Sequence, residues 1–458
     1  MKSNSVVELD RAHLIHPVTS WSGHERRGAT VLESGKGVYL TDSEGRTLLD
    51  GFAGLWCVNV GYGQDSIVAA AAEQMARLPY ATGYFSFASE PAVMLAAKLA
   101  ELAPGDLDHV YFTLGGSDAI DSAVRFIRYY YNVTGRPLKK QMIALDKGYH
   151  GSTTFGAGLT GLPLFHANLD APLPIQHHIP APYPYRHETG TDADVIADSL
   201  AALHRKVEDI GAENVAAFFC EPVQGSGGVI VPPVGWLTAM REACRELDIL
   251  FVVDEVITGF GRTGPMFACE HEGVEPDLMT IAKGLTAGYS PMGAVLMSDR
   301  VYRTIADNAP VGASIGHGFT YSAHPVSAAV GLEVLRLYTD GGIVANGLAR
   351  GPAFAERLQA LSSHPLVGDV RVKGLLAGVE LVTNKATKAK PEPALNLADH
   401  LARIGYDKGV IFRAFADGTV GFAPPLVATA DELDEMVARF AATLDEVMNI
   451  AEIRDAVD

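Results

Sequence analysis

An α/β architecture is what the sequence predicts: a large domain built on a mostly parallel sheet between helices, plus a small α+β domain assembled from both ends of the chain. Three observations predict it. Apolar runs of four to six residues alternate with helical stretches through the middle of the chain, and such unbroken runs suit strands covered on both faces. Each run ends in a polar cluster, as in sheets whose ligand crevice lies at the carboxyl ends of the strands. Mixed short strands and helices occupy the opening residues and return after about residue 340. The expected divisions are 1–64, contributing to the small domain, 65–338, the large ligand-binding domain, and 339–458, the rest of the small domain.

In chain order, short strands around Ser43-Glu44-Gly45 predict a β-hairpin in the opening segment. Ile67–Leu78 reads as an amphipathic helix, and Pro91–Leu102 as another with proline at its start. The apolar runs are Val110–Thr113, Met142–Leu145, Val215–Cys220, Ile249–Val253 and Leu278–Ile281. The 154–190 segment, rich in Pro, His and Tyr and without periodicity, reads as a surface excursion or interface loop. Asp431–Val447 returns to a helical pattern.

Composition excludes several classes of function. The 458 residues are 48% hydrophobic and carry a formal charge of −18, a balance that repels nucleic acid and acidic lipid. A small-molecule ligand is therefore expected, any phosphate on it held by local backbone dipoles. Four widely spaced cysteines read as reduced thiols of a cytoplasmic protein. The N-terminus has early acids and no apolar core, so no signal peptide is expected. No run of about 20 apolar residues suggests a membrane span. Fifteen histidines include no HExxH and no Cys/His ligand spacing, so no metal is expected in the chemistry.

The chemistry lies in the residues just past each strand. Leu114-Gly115-Gly116-Ser117-Asp118 opens a helix, and its free N–H groups would suit a phosphate or simply a compact turn. Gly148-Tyr149-His150-Gly151 and Glu221-Pro222-Val223-Gln224-Gly225 come after the next two runs. Asp254, after five apolar residues, is an acid at a dry strand end. Its partner would be a protonated ring nitrogen or a structural cation. Lys283 comes after the last run, where burial would lower its pKa and favour imine chemistry; a solvated charge is the alternative.

Together these residues resemble the class III (ω-) aminotransferases, pyridoxal-phosphate enzymes of fold type I. The stretch from Leu250 through Asp254 to Gly264 is similar to the family signature, succeeded by Pro276-Asp277 and Ala282-Lys283-Gly284. Similar matches are Gly54-Leu55-Trp56, Gly116–Ala119, Tyr149–Gly151, Glu221–Gly225 and Gly318–Pro325. The resemblance implies pyridoxal 5′-phosphate held as a Schiff base on Lys283, which also moves the substrate proton. It implies Asp254 at the pyridine nitrogen, Val256 and Tyr149 on the two ring faces, and Gly116 and Ser117 at the phosphate. Glu221 would position groups around the ring. Thr320 would reach the phosphate of a neighbouring subunit in a homodimer, or in a tetramer built from it. Many relatives carry Asn-Ser before the Gly-Ser pair where this chain has Leu114-Gly115, so a side-chain phosphate contact is lost.

For the substrate, the segments around Trp56 and Arg413 look like the subgroup that acts on amines and ω-amino acids with pyruvate. Trp56 and Phe85 would line the pocket with Tyr149, and Arg413 would bind the acceptor carboxylate. The implied reaction is a ping-pong transamination (EC 2.6.1.-). Its alternatives are a 4-aminobutyrate- or ornithine-type enzyme using 2-oxoglutarate, an aminomutase or decarboxylase on the same scaffold, and a non-catalytic ligand-binding protein. The intact set Lys283, Asp254 and Tyr149 speaks against the last.

Overall fold

The computed structural model describes residues 3–457. Helices Ser3–His13 and Trp21–Arg27 precede strands β1 (Leu32–Lys36), β2 (Tyr39–Asp42) and β3 (Thr47–Asp50). The expected hairpin is β2–β3, turned at Gly45 (φ +80°). Asp42 Oδ1 holds the turn by accepting from Glu44 N and Arg46 N, each at 2.9 Å, a local side-chain bond typical of turn aspartates. Helices Asp65–Arg77 and Glu90–Leu102 form where the amphipathic pattern places them.

The large sheet then takes seven strands: β4 (His109–Thr113), β5 (Gln141–Leu145), β6 (Gln176–Ile179), β7 (Val215–Cys220), β8 (Leu250–Asp254), β9 (Leu278–Ile281) and β10 (Gly293–Met297). Their spatial order is β4-β10-β9-β8-β7-β5-β6. All neighbours are parallel except β10, which runs antiparallel to both β4 and β9. Gly293–Met297 has the same apolar signature as the five expected strands, and Ser298-Asp299-Arg300 comes after it, but the antiparallel direction puts that polar cluster at the sheet edge opposite the site. Sequence pattern carries no strand direction, so nothing in the chain announces the antiparallel strand.

Strands β7, β8 and β9 are buried at every residue. Alternate side chains go to opposite faces. Phe218, Phe251 and Met279 join one apolar cluster, while Phe219, Val252 and Leu278 join another. Each fully buried phenylalanine there contributes roughly 1.5–3 kcal/mol relative to exposure.

The 154–190 segment corrects the expectation of an irregular excursion. It contains a short helix, Thr154–Leu159, and the edge strand β6, which pairs in parallel with β5 from Met142↔Gln176 to Leu145↔Ile179. Only Gln176 and Ile179 of β6 are buried, so this half-exposed Gln-His-His-Ile strand offers no apolar run to read.

The remaining strands are β11 (Val367–Lys373), β12 (Leu376–Leu381), β13 (Val410–Ile411), β14 (Arg413–Ala414) and β15 (Thr419–Phe422). Strand β13 joins the N-terminal meander, pairing in parallel with β3 through Val410↔Leu49 and Ile411↔Asp50. The other four form an antiparallel sheet in the order β11-β12-β15-β14. Helix Ala430–Val447 closes this region. Thr429 and Glu432 form a capping box, with Glu432 N donating to Thr429 Oγ1 at 3.2 Å and Thr429 N to Glu432 Oε2 at 2.8 Å. Its buried stripe is Leu433, Met436, Val437, Phe440, Leu444 and Val447, the spacing of one helix face. Among the described residues no helix is long and apolar enough to cross a membrane.

Candidate active site

Because β4 lies parallel to β9, the carboxyl ends of β4, β5, β7, β8 and β9 share one edge of the sheet. After β4, helix Gly116–Val133 begins with Gly115 as its cap and no side chain bonded to its first N–H groups. Such a terminus keeps unsatisfied donors and a positive dipole end. A Cβ on Gly116 would lie 3.1 Å from a Val256 methyl, so the turn after β4 packs directly on the turn after β8. Ser117 Oγ accepts from Ser152 N at 3.1 Å. Gly151, at φ +118°, passes so close that a Cβ there would sit 2.5 Å from Ser117 Oγ. Only glycine permits that approach.

Glu221, at the end of β7, ties two of the turns together. Its Oε1 accepts from Tyr149 N at 2.8 Å and its Oε2 from Gly225 N at 3.0 Å. Burial pushes its pKa up to about 7, aided by the Asp254 charge and opposed by His150. Tyr149 packs its ring edge-on against Phe165, with centroids 5.2 Å apart, and its hydroxyl meets Ser152 Oγ at 3.2 Å.

Asp254 is buried at the end of β8. Its Oδ1 accepts from Val256 N at 3.1 Å, and its Oδ2 meets His150 Nδ1 at 2.9 Å. Burial works against a charged His150 ring, but the bond and charge of Asp254 outweigh it and raise the pKa. The other ring nitrogen, Nε2, is buried without a partner. His150 stands inside one of the polar clusters, yet sequence assigns it no role of its own; a histidine one strand away from an acid shows no linear sign of the pairing.

Lys283 comes directly after β9. Burial lowers its pKa, against the pull of Cys57, Asp254 and Glu221, so its amine is driven toward the neutral, nucleophilic form. Lys283 and Trp56 both sit in the left-handed region, at φ +32° and +57°. For such residues the conformation costs about 1–3 kcal/mol each and gathers at functional sites. The Lys283 amine lies 5.7 Å from the Trp56 ring centroid. Trp56 is buried and stacks on Phe415 at 6.4 Å, and the Arg413 guanidinium lies 5.4 Å over the same Phe415 ring. An aromatic path therefore joins the lysine to an exposed arginine, bringing together residues 130 positions apart in sequence.

Two expected site residues stand apart within one chain. Phe85 is 86% exposed, and no contact joins it to Trp56 or Lys283 among the described residues. Thr320 is exposed, its carbonyl accepting from Tyr80 OH at 3.0 Å. The signature residue Arg262 is structural: fully buried, it donates to Pro424 O at 2.5 Å, Leu375 O at 3.3 Å and Asn59 Oδ1 at 2.6 Å.

A half-buried lysine, a buried acid and an open helix start meet on one sheet edge, an arrangement suited to the chemistry of fold type I. The chain belongs to the class III aminotransferases, whose family model matches residues 22–444. It is 42% identical to the putrescine–pyruvate aminotransferase of Pseudomonas aeruginosa over 96% of this chain and 95% of that one. Identity is 37% to a diaminobutyrate–2-oxoglutarate transaminase of Halomonas elongata, over 96% of each chain. The crystal structure of a thermostable (S)-enantioselective ω-transaminase from Thermomicrobium roseum is similar at a TM-score of 0.95 and 40% identity, covering 98% of this chain and 99% of that one. Its substrates are accordingly an amine donor and a keto acid.

Proposed function

We propose that this aminotransferase uses pyridoxal 5′-phosphate to move an amino group from an amine or ω-amino acid to pyruvate. The observation that carries the cofactor reading is the buried Asp254–His150 pair beside an amine whose charge burial disfavours. The residues present fit the group: the unencumbered helix start at Gly116 and Ser117 suits its phosphate, Asp254 its ring nitrogen, Lys283 its aldehyde carbon. Val256 and Tyr149 would flank the ring. When bound, the cofactor supplies an electron sink for the carbon that loses its proton. Asp254 would hold a positive charge at the ring nitrogen, with His150 at its Oδ2 orienting that carboxylate. Lys283 would take and return the substrate proton, and Glu221 holds the Tyr149 and Gly225 backbones in place.

Pyruvate and amine recognition rest on the path from Lys283 through Trp56 and Phe415 to Arg413. The aromatic walls accept an apolar or extended amine, while the long arginine stem brings a cation to a carboxylate when the acceptor binds. The second reading, an enzyme using 2-oxoglutarate, is favoured by the diaminobutyrate relative. A panel of β-alanine, taurine, putrescine and 1-phenylethylamine against both acceptors tests the choice; turnover with 2-oxoglutarate alone would reject the pyruvate reading. Arg413→Ala should raise KM for pyruvate about 10- to 150-fold, the equivalent of a charge-assisted hydrogen bond of roughly 1.5–3 kcal/mol. The half-reaction with an amine lacking a carboxylate should hardly change.

We also infer a homodimer in which Thr320 completes the phosphate site of a second copy. The 81–89 and 310–322 segments pack on each other, and Phe85, Phe87, Val311 and Tyr321 on them are all exposed. Apolar side chains grouped in this way mark a surface that another chain covers. Phe85 belongs to that surface. A fully active monomer in light scattering would refute the dimer.

A further inference from the structure

We propose that Asp10, His16 and His24 form a binding site for a single divalent cation of the Zn²⁺ class, separate from the transamination site. Asp10 stands near the end of helix Ser3–His13, His16 in the turn after it, and His24 inside helix Trp21–Arg27. None of these elements carries a residue of the active site.

The turn is firmly shaped. Val18 lies at φ +50°, and Ser20 caps the second helix, its hydroxyl accepting from Gly23 N at 3.3 Å. That arrangement folds the second helix back so that three donor atoms converge within 4.8 Å of one another. His16 Nε2 lies 2.8 Å from Asp10 Oδ1, and His24 Nε2 lies 3.1 Å from Asp10 Oδ2. The two imidazole rings are 4.6 Å apart at a tilt of 52°.

Hydrogen bonding accounts for only part of this cluster. The His16–Asp10 contact has hydrogen-bond geometry. The His24–Asp10 contact does not, and at 3.1 Å it is an ion pair only when the His24 ring is protonated; with that ring neutral, Asp10 Oδ2 and His24 Nε2 face one another without a hydrogen bond. The Asp10 side chain is only 9% exposed and that of His24 10%. A buried polar atom left unpaired costs about 1–3 kcal/mol, so two facing one another are a poor end state for a purely structural cluster. A cation between them satisfies both at once.

The donor set selects the ion. Two imidazoles and one carboxylate are borderline ligands, suited to Zn²⁺ and to Co²⁺ as its spectroscopic substitute, and unlike the all-oxygen sets of Ca²⁺ and Mg²⁺. Tetrahedral zinc with ligands at about 2.0–2.2 Å places its donors about 3.3 Å apart, so small side-chain rotations from the present spacing close the site. Three protein ligands leave a fourth position for water. The spacing Asp-x5-His-x7-His matches no familiar linear motif, so only the folded chain reveals it. Bound metal would clamp the two N-terminal helices together.

The test uses cofactor-loaded protein, freed of excess cofactor and stripped of metal with a chelator. Titration with Co²⁺ should reveal one tight equivalent per chain with visible d–d absorption, displaced by Zn²⁺. Loss of a direct ligand should exceed the 10- to 100-fold typical of outer-shell changes, so Asp10→Ala and His24→Ala should bind at least about 100-fold more weakly. His13→Ala, a neighbouring histidine outside the cluster, should bind normally, and aminotransferase turnover should be unchanged in all three. Should His24→Ala fail to fold, His16→Ala removes the most exposed of the ligands and carries the same expectation. No stoichiometric site in the parent protein, or equal affinity in the parent and the ligand variants, would overturn the proposal.

Discussion

Two buried clusters of charge in this protein are built in opposite ways. Around Asp254, the groups are left with capacity to spare: His150 Nε2 has no partner, burial drives Lys283 toward its neutral form, and Glu221 is pushed up to about 7. Around Glu380, on β12, nearly every valence is used. Arg371 Nη1 reaches Glu380 Oε2 at 2.9 Å and Asp369 Oδ2 at 2.6 Å, while its other nitrogens donate to Val229 O at 3.0 Å and Gly228 O at 2.7 Å. Arg186 Nε donates to Glu380 Oε1 at 2.7 Å, and the Tyr183 hydroxyl donates to Oε2. Burial opposes ionisation of Glu380, but Arg371, Tyr183 and Arg186 prevail and hold its carboxyl below the ordinary value. A saturated cluster fixes charge and ties elements together. An unsaturated one keeps protonation states adjustable, as acid–base chemistry requires.

The sharpest break of this contrast is to delete a basic side chain from each cluster. Lys283→Ala should abolish turnover while leaving the folded chain intact, because imine formation and proton transfer both need that amine. Borohydride reduction of the parent protein should fix the cofactor to the Lys283 peptide; label on another lysine would sink the assignment. Arg371→Ala should do the reverse. Stripping one partner from a buried pair costs roughly 3–5 kcal/mol, and the lower end is expected because Arg186 remains. Urea unfolding would measure it, and a loss under about 1 kcal/mol would mean that Glu380 is already neutral there.

Asp254→Asn comes next. The amide keeps the shape and one hydrogen bond but cannot hold a positive charge at the ring nitrogen. A fall in kcat of at least about 100-fold is expected, as for removal of one electrostatic stabiliser. A near-normal rate would make Asp254 a structural acid like Asp277, which is buried between Arg241 and Arg300.

The same contrast explains which parts were legible in sequence. Strands β5, β7, β8 and β9 announced themselves because strands covered on both faces must be continuously apolar, and the half-buried edge strand β4 did so because Val110, Tyr111 and Phe112 keep an apolar run; the polar residues after each one marked the site edge. Strand β6 was hidden because an edge strand tolerates His177 and His178. The direction of β10 was hidden because direction leaves no residue pattern. Lys283 and Asp254 were readable as exceptions, charges placed where charge is costly. His150 was not, since its importance lies in a contact across 104 positions. Arg262 misleads in the other direction: it stands within the family signature, yet its guanidinium donates to the Leu375 and Pro424 carbonyls and the Asn59 side chain, away from the site. The cluster at Glu380 draws on four separate segments, and no local pattern could reveal it.

The smallest expected effect is a slope, and it gives the two glutamates opposite signs. Glu221 ordinarily titrates near 4.5, but in the folded chain it keeps its proton to about 7. Between those values the folded state binds a proton that the unfolded state has released, so stability should fall as pH rises through this window and level off above it. Glu380 has its folded pKa below 4.5, so its contribution is fully present above that value and fades as pH drops below it. One proton limits either slope to about 1.4 kcal/mol per pH unit. Urea unfolding of the cofactor-free protein, parent minus variant, separates them. Glu221→Gln should flatten the fall between pH 4.5 and 7 without touching the acid limb; Glu380→Gln should flatten the acid limb alone. If Glu221→Gln leaves the upper window unchanged, the backbone donors of Tyr149 and Gly225 keep that carboxylate ionised. The two clusters would then differ in their partners but not in their poise.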